Sequence, residues 1–334
     1  MSTSILNSPL ARHRQLAPSA AVRVSPLCLG AMNFGDAHKE RMGECTKETA
    51  FEILDYFFSQ GGNFIDTATG YQAGQSEMWL GEWMATRKNC DQIVLATKYS
   101  GELMHSLNDL VSSGKALYLG ISDTPAWVVA RANQYARSNS LRQFSVYQGM
   151  WNAGMRDLER DIIPMCRAEG MGICPYGVLN QGRFQTEDGY KKREKNNPGR
   201  KSRPIHQHDK DVYRVLEKIS KTKGENFGIL HVALAYVMQK APYVFPIVGG
   251  RTLEHIKGNI TGLLLALTEK DIEDIESAYR FDPGFPHTFL SGTLLKGHDA
   301  IPKGAYSPSE VWYVDTMGTI DFVEPLKPIK PSRR

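Results

Sequence analysis

Cysteine is scarce in this chain, and its spacing does not suggest pairing. The five cysteines are an odd number, and no Cys-x-x-Cys motif occurs among Cys28, Cys45, Cys90, Cys166 and Cys174. A disulfide framework needs an even set, and a zinc site commonly uses closely spaced pairs. The pattern therefore argues against both, predicts no metal centre and indicates a reducing compartment.

Long apolar runs are also missing. No stretch of about eighteen apolar residues occurs, and the N-terminal segment MSTSILNSPLARHRQ contains no apolar core of the signal-peptide kind. With 41% hydrophobic and 23% charged residues over 334 positions, the composition is that of an ordinary globular protein. These features predict a soluble, cytoplasmic protein with no membrane partner.

A strong charge of either sign is absent as well. The net charge is only +4, and much of the excess lies in Lys191–Arg203, with the sequence KKREKNNPGRKSR. Such a run is typical of a solvated loop, and its Pro198-Gly199 pair and lack of aromatic residues favour that interpretation. A basic face for an anionic ligand is the alternative. No nucleic-acid partner is predicted.

No Gly-x-Gly-x-x-Gly motif follows the first predicted strand, which argues against a dinucleotide-binding doubly wound fold. Instead, short apolar runs alternate with amphipathic segments. This β/α repeat favours the α/β class and a TIM-type (β/α)8 barrel. The recognisable strands are Leu27–Met32, Asn63–Ala68, Gln92–Thr97, Leu117–Ser122, Phe144–Gln148, Gly172–Gly177 and Tyr243–Val248. These are seven strands where a barrel needs eight, so the barrel is predicted to be incomplete.

The chain is predicted to form one domain over residues 1–334. A polar loop at about 187–208 interrupts it, and a Pro- and Gly-rich tail over 281–334 is predicted to wrap over the body. The helix Gln75–Thr86 is predicted to turn Met78, Trp79 and Trp83 inward, and Arg156–Glu169 is predicted as one helix.

Functional groups in such a barrel lie at the C-terminal ends of the strands. Asp66 and Tyr71 follow the second strand, and Lys98 follows the third. A Lys ammonium beside a Tyr hydroxyl favours the phenolate, and an Asp paired with that Lys keeps it charged. The three residues predict a general acid that protonates a carbonyl oxygen as hydride reaches the carbon. A capping Asp, a buried Tyr and a surface Lys are the structural alternatives.

Other polar residues follow later strands, namely Ser122, Asp123 and Gln148. After the last strand, PIVGGRT leads to His255 and Asn259. The Gly249-Gly250 pair lets a phosphate approach backbone amides at a helix N-terminus, and Arg251 can bind that phosphate through two hydrogen bonds. An ordinary β/α turn with a solvent-exposed Arg is the alternative.

Five motifs occur in order along the chain: NFIDTATGY, ATK, GISD, VYQ and PIVGGRTLEHIKGN. Together they resemble the aldo-keto reductases. The segments SLNDLVSSGKALYLGISDTPAWVVARANQYAR, WNAGMRDLERDIIPM and FDPGFPHTFLSG are similar to the fungal aryl-alcohol dehydrogenase and norsolorinic acid reductase branch. The resemblance covers nearly the whole chain. It implies a (β/α)8 barrel that uses NADPH without a Rossmann domain. It also implies a small carbonyl or alcohol substrate of the aryl or polyketide type, in secondary metabolism such as aflatoxin- or sterigmatocystin-type pathways.

By motif match, the resemblance implies that Tyr71 is the proton donor, that Lys98 is its partner and that Asp66 holds Lys98. The nicotinamide carboxamide would contact Ser122, Asp123 and Gln148, although the family often has Asn where Asp123 stands. The rest of NADP(H) would lie against Tyr176 and Gly177–Arg183 at the ring and pyrophosphate, and against Gly249, Arg251, His255 and Asn259 at the adenosine 2′-phosphate.

The resemblance breaks after Lys98. The family has a fourth catalytic residue, a His at the end of strand four, in a pattern like Leu-Tyr-Val-His. Here the chain runs from Lys98 directly into HSLNDL, which resembles the helix after strand four. The third helix and fourth strand, about fifty residues with their loops, are therefore predicted to be deleted. His105 aligns with the start of the surviving helix, so it is not predicted to replace the catalytic His.

A barrel that lacks one strand leaves two strand edges unpaired, or closes with an altered pocket. The sequence therefore predicts weak or no turnover. Two alternatives to an active reductase follow: a catalytically impaired NADPH-binding protein that keeps the Gly249–Asn259 site, or an aberrantly spliced product without a stable fold.

Overall fold

Seven parallel strands form the centre of the protein, and a hairpin precedes them. The computed structural model describes residues 8–98, 104–185, 189, 206–279, 281–290 and 326–331. In these residues the strands are β1 (Arg14–Ala17), β2 (Ala20–Val24), β3 (Cys28–Gly30), β4 (Phe64–Asp66), β5 (Val94–Ala96), β6 (Leu119–Ser122), β7 (Phe144–Met150), β8 (Gly172–Tyr176) and β9 (Ile247–Val248).

Helices alternate with the parallel strands, as the repeat predicts. They are α1 (Lys39–Met42), α2 (Lys47–Ser59), α3 (Gln75–Arg87), α4 (Met104–Ser112), α5 (Ala126–Ser138), α6 (Ile162–Ala168), α7 (Gln207–Thr222), α8 (Ile229–Lys240), α9 (Leu253–Gly262), α10 (Glu269–Glu276) and α11 (His287–Leu290). Their apolar faces pack on the sheet and form the main core, which buries Leu54, Trp83, Trp151 and Tyr236 among others.

The sheet is open. Its hydrogen-bonded orders are β5-β4-β3-β9 and β6-β7-β8. The two parts meet where Ile173 N donates to the Tyr243 carbonyl at 2.8 Å and Phe245 N donates to the Ile173 carbonyl at 2.8 Å. β5 and β6 are thus the two end strands, and no hydrogen-bonded pairing joins them in the described part of the chain. The prediction of seven parallel strands is confirmed, and the barrel does not close.

The register of the parallel strands brings the C-terminal ends of β3, β4, β5 and β9 together. Gly30 of β3 lies opposite Asp66 of β4, and Asp66 lies opposite Ala96 of β5. On the other side of β3, Leu29 lies opposite Val248 of β9. The residues that follow β4, β5 and β9 therefore leave the sheet at one edge, where the candidate site is found.

The β1–β2 hairpin was not predicted. Its strands are antiparallel, with Ala17 opposite Ala20. Both alanines are buried, in a small cluster that includes Cys28, Phe64 and Phe245. The hairpin thus covers the end of the sheet opposite the candidate site. Its strands are short and only partly alternating in burial, so they give a weak period-two signal.

Helix α3 is confirmed, but one of its predicted inward residues is not. Trp83 is fully buried and Trp79 is partly buried, whereas Met78 is 69% exposed. The inward face carries Ser76, Leu80 and Trp83, which are spaced by four and three residues. Met78 is two positions from Leu80, or about 200° around the helix, so it points away from the core.

The predicted helix Arg156–Glu169 is divided. A short 3₁₀ turn covers Asp157–Glu159, and α6 begins only at Ile162. Pro164 explains the break, because it has no N–H to donate to the carbonyl four residues earlier. It is tolerated where it lies, in the first turn of α6.

A buried ionic cluster follows from this break and was not predicted. Arg156 donates to Glu159 at 2.7 Å, Trp151 Nε1 donates to the same carboxylate at 3.1 Å, and Tyr236 and Glu276 complete the cluster. Burial acts to raise the pKa of Glu159, but Arg156 outweighs it and the pKa is lowered. The cluster ties the 3₁₀ turn before α6 to α8 and α10.

Parts of the predicted tail contact the body. The Phe281 ring lies 4.6 Å from the guanidinium of Arg156 and 4.8 Å from that of Arg160. Lys330 Nζ donates to the Leu267 carbonyl at 3.1 Å. The Lys191–Arg203 run and most of the predicted loop at 187–208 lie outside the described residues, and α7 begins at Gln207.

Gly172→Ala is expected to destabilise the protein. A Cβ at this position would lie 2.2 Å from the Leu16 carbonyl oxygen of the hairpin, so backbone must move. We expect a loss of about 1–3 kcal/mol in the free energy of unfolding, measured by urea denaturation. Gly81→Ala is the control, because a Cβ at Gly81, within α3, would have nothing within 4 Å of it. That variant should gain up to about 1 kcal/mol. Equal stability of the two variants would contradict the packing of the hairpin on β8.

Candidate active site

Asp66 and Lys98 form a partly buried ion pair at the ends of β4 and β5. The Lys98 ammonium donates to both carboxylate oxygens of Asp66 at 2.7 Å, and also to the Thr67 carbonyl at 2.7 Å. The Asp66 side chain is 5% exposed and that of Lys98 is 28% exposed. An ammonium has three protons, and here all three have oxygen acceptors.

Tyr71 lies beside this pair. Its hydroxyl oxygen is 3.4 Å from Lys98 Nζ, and the same nitrogen is 5.0 Å from the centre of the Tyr71 ring. The three residues that the sequence predicts as catalytic are thus in mutual contact. The ammonium is placed to stabilise a negative charge on the Tyr71 oxygen whenever the hydroxyl gives up its proton.

The loop that carries Tyr71 is held by a residue that the sequence analysis missed. Gln72 has a φ of 51° and is 1% exposed. Its side chain donates to the Met32 carbonyl at 3.2 Å and accepts from His38 N at 2.8 Å. These bonds brace the Tyr71 turn against the segment after β3. The neighbouring glycines Gly70 and Gly74 could have indicated a strained turn, but the partners of Gln72 come from a distant segment.

Gln148 joins the pair from the other half of the sheet. Its Nε2 donates to Asp66 Oδ2 at 2.9 Å, although the sequence analysis assigned it to the cofactor. Burial raises the pKa of Asp66, and Lys98 and Gln148 oppose that effect. Because three hydrogen bonds from these two residues converge on the carboxyl group, we expect it to be ionised at pH 7.

Asp123 lies at the end of β6, among neutral donors. Its carboxylate accepts from Ser122 Oγ at 3.1 Å and from the Tyr176 hydroxyl at 3.1 Å. Burial and Asp123 raise the pKa of Tyr176 to about 12, with smaller contributions that include Tyr71. Tyr176 therefore remains a protonated donor at neutral pH. The structure brings Ser122, Asp123 and Tyr176 to one cluster, as predicted for residues at strand ends.

The segment after β9 forms the start of α9. Thr252 is the N-cap, and its hydroxyl accepts from His255 N. A Cβ on Gly249 would lie 3.2 Å from the Gly30 carbonyl oxygen, and a Cβ on Gly250 would lie 2.5 Å from the His255 Cβ. Arg251 N donates to His255 Nδ1 at 3.2 Å, and Asn259 is buried in the same helix. Burial, and secondarily Arg251, lowers the pKa of His255.

The predicted pyrophosphate segment has its own internal contacts. Gly177 has a φ of 67°, which favours glycine, and ends β8. Arg183 Nη2 donates to Asn180 Oδ1 at 2.5 Å, and Asn180 in turn donates to Asp209 at 2.7 Å. Arg183 is therefore held against its own turn and the start of α7.

His105 does not join the site. Its Nε2 is 3.1 Å from the hydroxyl of Tyr135 on the exposed side of α5. The prediction that it does not replace the catalytic His of strand four agrees with this position. Within the described residues, no cluster of three or more His, Cys, Asp or Glu side chains is arranged to hold a metal ion. None of the described helices has the length and apolar character needed to cross a membrane.

Comparison with protein families gives a match in two pieces. The family described as "Aldo/keto reductase family" matches residues 26–103 and again residues 100–280. Together these segments cover most of the chain. Their junction falls at residues 100–103, which is the position where the sequence resemblance breaks.

Curated relatives cover nearly the whole chain. Norsolorinic acid reductase B of Dothistroma septosporum is 58% identical over 373 residues, which is 96% of this chain and 94% of that protein. Norsolorinic acid reductase B of Aspergillus parasiticus is 54% identical over 378 residues, covering 97% and 98%. An aryl-alcohol dehydrogenase of Pestalotiopsis microspora is 44% identical over 382 residues, covering 98% and 95%.

These lengths reveal an internal deletion. Since 96% of 334 residues is about 321, about 52 of the 373 positions aligned with the Dothistroma protein have no residue in this chain. The family match breaks at one place, between β5 and α4. The number of unmatched positions agrees with the predicted loss of about fifty residues after Lys98, and the strands on either side of the break, β5 and β6, are the end strands of the sheet. That the lost residues formed the third helix and fourth strand stays a prediction.

Lys98→Met is expected to destabilise the protein, because it leaves the buried Asp66 carboxylate with Gln148 as its remaining partner. We expect a loss of about 1–3 kcal/mol in the free energy of unfolding, below the value for full burial because Lys98 is partly exposed. Lys47→Met is the matched control. It removes a pair whose side chains are 37% and 52% exposed and should cost less than about 1 kcal/mol. Urea denaturation at pH 7 measures both, and equal losses would contradict a buried pair.

Proposed function

Because the chain belongs to the aldo/keto reductase family, whose members are oxidoreductases, we propose that it carries an NADP(H)-dependent site for carbonyl reduction or alcohol oxidation. The observation that supports this most directly is the position of Lys98 Nζ, bonded to Asp66 and 3.4 Å from the Tyr71 hydroxyl. That arrangement suits a proton donor to a substrate oxygen.

The chemistry divides between cofactor and protein. A reduced nicotinamide held by the residues described below would supply the hydride, with both electrons, for the carbonyl carbon. Tyr71 gives its proton to the carbonyl oxygen, so the product is an alcohol and Tyr71 is left as phenolate. Lys98 stabilises that phenolate, and Asp66 holds Lys98 in position. In the reverse direction, the Tyr71 phenolate accepts the proton of the alcohol.

The candidate site has residues that suit both the 2′-phosphate end and the nicotinamide end of NADP(H). The N-terminus of α9, with Gly249, Gly250 and Arg251 before it, offers amide donors and a guanidinium to a phosphate. His255 and Asn259 line the same turn of chain and complete the proposed 2′-phosphate site. The carboxamide would be bound by Ser122, Asp123 and Gln148, and the ring and pyrophosphate by Tyr176 and Gly177–Arg183.

The proposed substrate follows from the relatives. Those with 41–58% identity include proteins named as norsolorinic acid reductases and as aryl-alcohol dehydrogenases. We therefore propose an aryl or polyketide-type aldehyde, ketone or alcohol, in secondary metabolism of the aflatoxin or sterigmatocystin type. A small molecule of this class would bind beside Tyr71 at the open edge of the sheet.

The deletion supports a second candidate, an NADP(H)-binding protein with impaired catalysis. This chain retains the residues proposed to bind the cofactor, which lie at or after the ends of β6, β7, β8 and β9. The deleted segment, in contrast, would have supplied one wall of the pocket and the family's catalytic His. That wall would lie next to Lys98, between the end strands β5 and β6. Turnover is therefore expected to suffer more than cofactor binding.

Turnover should be low and recoverable. The comparison variant carries the missing segment of the Dothistroma reductase, inserted after Ser100. We expect the full chain to oxidise NADPH with an aromatic aldehyde at least about a hundredfold more slowly than this variant. The reason is that the insertion restores a proton-transfer partner and a pocket wall. The measurement is the loss of NADPH absorbance at saturating aldehyde.

The control for this experiment is Tyr71→Phe, made in the insertion variant. It should remove the regained activity, whereas Tyr56→Phe, on the outer helix α2, should keep it. Equal rates for the full chain and the insertion variant would contradict an impaired site. Activity that survives Tyr71→Phe would contradict the proposed proton donor.

Arg251→Ala should weaken the binding of NADPH far more than the binding of NADH, because only NADPH carries the 2′-phosphate. The loss of charge-assisted hydrogen bonds is worth about 1.5–3 kcal/mol, or roughly a tenfold to hundredfold increase in Kd. Titration of cofactor fluorescence measures both constants, and NADH serves as the internal control. Equal weakening of the two cofactors would place the 2′-phosphate elsewhere.

A further inference from the structure

Asp123 is a carboxylate without a cationic partner at the mouth of the candidate site. Its two oxygens accept from the hydroxyls of Ser122 and Tyr176, and both donors are neutral. In the part of the chain that the structure describes, no Lys, Arg or His side chain forms an ion pair with Asp123. Asp66, the other carboxylate among the candidate site residues, is paired with Lys98. Among the candidate site residues that the structure describes, Asp123 is therefore the carboxylate whose partners are both neutral.

The position of this charge is well defined. Asp123 has a φ of 49°, a left-handed conformation that Asp and Asn adopt more readily than most residues. Its backbone N–H donates to the Gln148 carbonyl at 3.0 Å. The Gln148 side chain in turn donates to Asp66. Asp123 is thus coupled by two hydrogen bonds to the Asp66–Lys98 pair, and the Tyr176 hydroxyl holds its carboxylate from β8.

A fixed anion at this place distinguishes the two forms of a nicotinamide cofactor. The reduced ring is neutral and the oxidised ring carries a positive charge. A carboxylate favours the cation by Coulomb attraction, and the attraction grows when a bound ligand excludes water. An amide at the same position would lack the charge, and it would keep one of the two accepting oxygens.

We propose that Asp123 binds the cationic nicotinamide of NADP⁺ in preference to the neutral ring of NADPH, and so biases the bound reactants toward carbonyl reduction. The inference rests on the proposed function, because it needs a nicotinamide at the mouth of the site. The reaction balances as given above: the carbonyl would gain hydride at carbon and the Tyr71 proton at oxygen, while the cofactor would lose that hydride, two electrons and one proton, and so gain one positive charge. A negative charge that stabilises this product state shifts the internal equilibrium toward alcohol and NADP⁺.

The test compares three forms of the full chain by isothermal titration calorimetry with NADP⁺, NADPH and 2′,5′-ADP. Asp123→Asn removes the charge but keeps the size and the tolerance of positive φ, and it replaces one accepting oxygen with a donating NH2 group. Asp91→Asn makes the same chemical change at an exposed position before β5, at the opposite end of the sheet. Thermal unfolding followed by circular dichroism checks that both variants fold.

The expected result is a change in the ratio of the two cofactor affinities. Asp123→Asn should lower the preference for NADP⁺ over NADPH on the order of tenfold, the size expected for one nearby charge at intermediate dielectric constant. Asp91→Asn should leave this ratio unchanged. Neither substitution should change the affinity for 2′,5′-ADP, because that compound has no nicotinamide.

The outcomes separate the inference from the function on which it rests. An equal loss of NADP⁺ and NADPH affinity in Asp123→Asn, with 2′,5′-ADP still bound, would overturn the charge preference and leave the proposed cofactor in place. Wild-type protein that binds none of the three compounds would overturn the proposed function, and the inference with it.

Discussion

The candidate site depends on the ion pair and the hydrogen bonds that the Lys98 ammonium forms. The ammonium joins the end of β5 to Asp66 at the end of β4, to the backbone of Thr67, and to the Tyr71 hydroxyl. A nearly buried carboxylate would be costly without this partner, and Tyr71 would have no nearby cation to stabilise its phenolate. Gln148 completes the arrangement from the second half of the sheet. The site is thus one electrostatic unit built from three strand ends.

This unit explains how the site persists beside a missing strand. Asp66, Tyr71 and Lys98 lie at or just after the ends of β4 and β5, which are neighbours in the sheet. Their hydrogen bonds join these two strand ends to each other, and one further bond comes from Gln148. The proposed phosphate site after β9 lies on the far side of β3 and does not depend on the gap. The break in the family match lies just after Lys98, between β5 and β6. These two strands are the end strands on either side of it, and their outer edges have no strand partner among the described residues.

Much of the site could be predicted because strand ends and motifs are local signals. Buried runs such as Phe64–Asp66 predicted the strands, and the parallel repeat placed Asp66, Lys98 and Ser122 at one edge of the sheet. The missing eighth strand was also countable from the repeat. The β1–β2 hairpin was not predicted because its pattern of buried and exposed residues is short. The exposure of Met78 was not predicted because it depends on which side of α3 meets the core.

The order of strands and helices, the break after Lys98 and the three candidate catalytic residues could be predicted from the amino-acid sequence, because each leaves a pattern within a short stretch of chain. The hydrogen-bond partners of these residues became visible with the tertiary structure. It brought Gln148 to Asp66, Gln72 to the segment after β3, and the Tyr176 hydroxyl to Asp123. These contacts join residues up to 82 positions apart. Their geometry depends on how strands pack side by side, which no local pattern encodes.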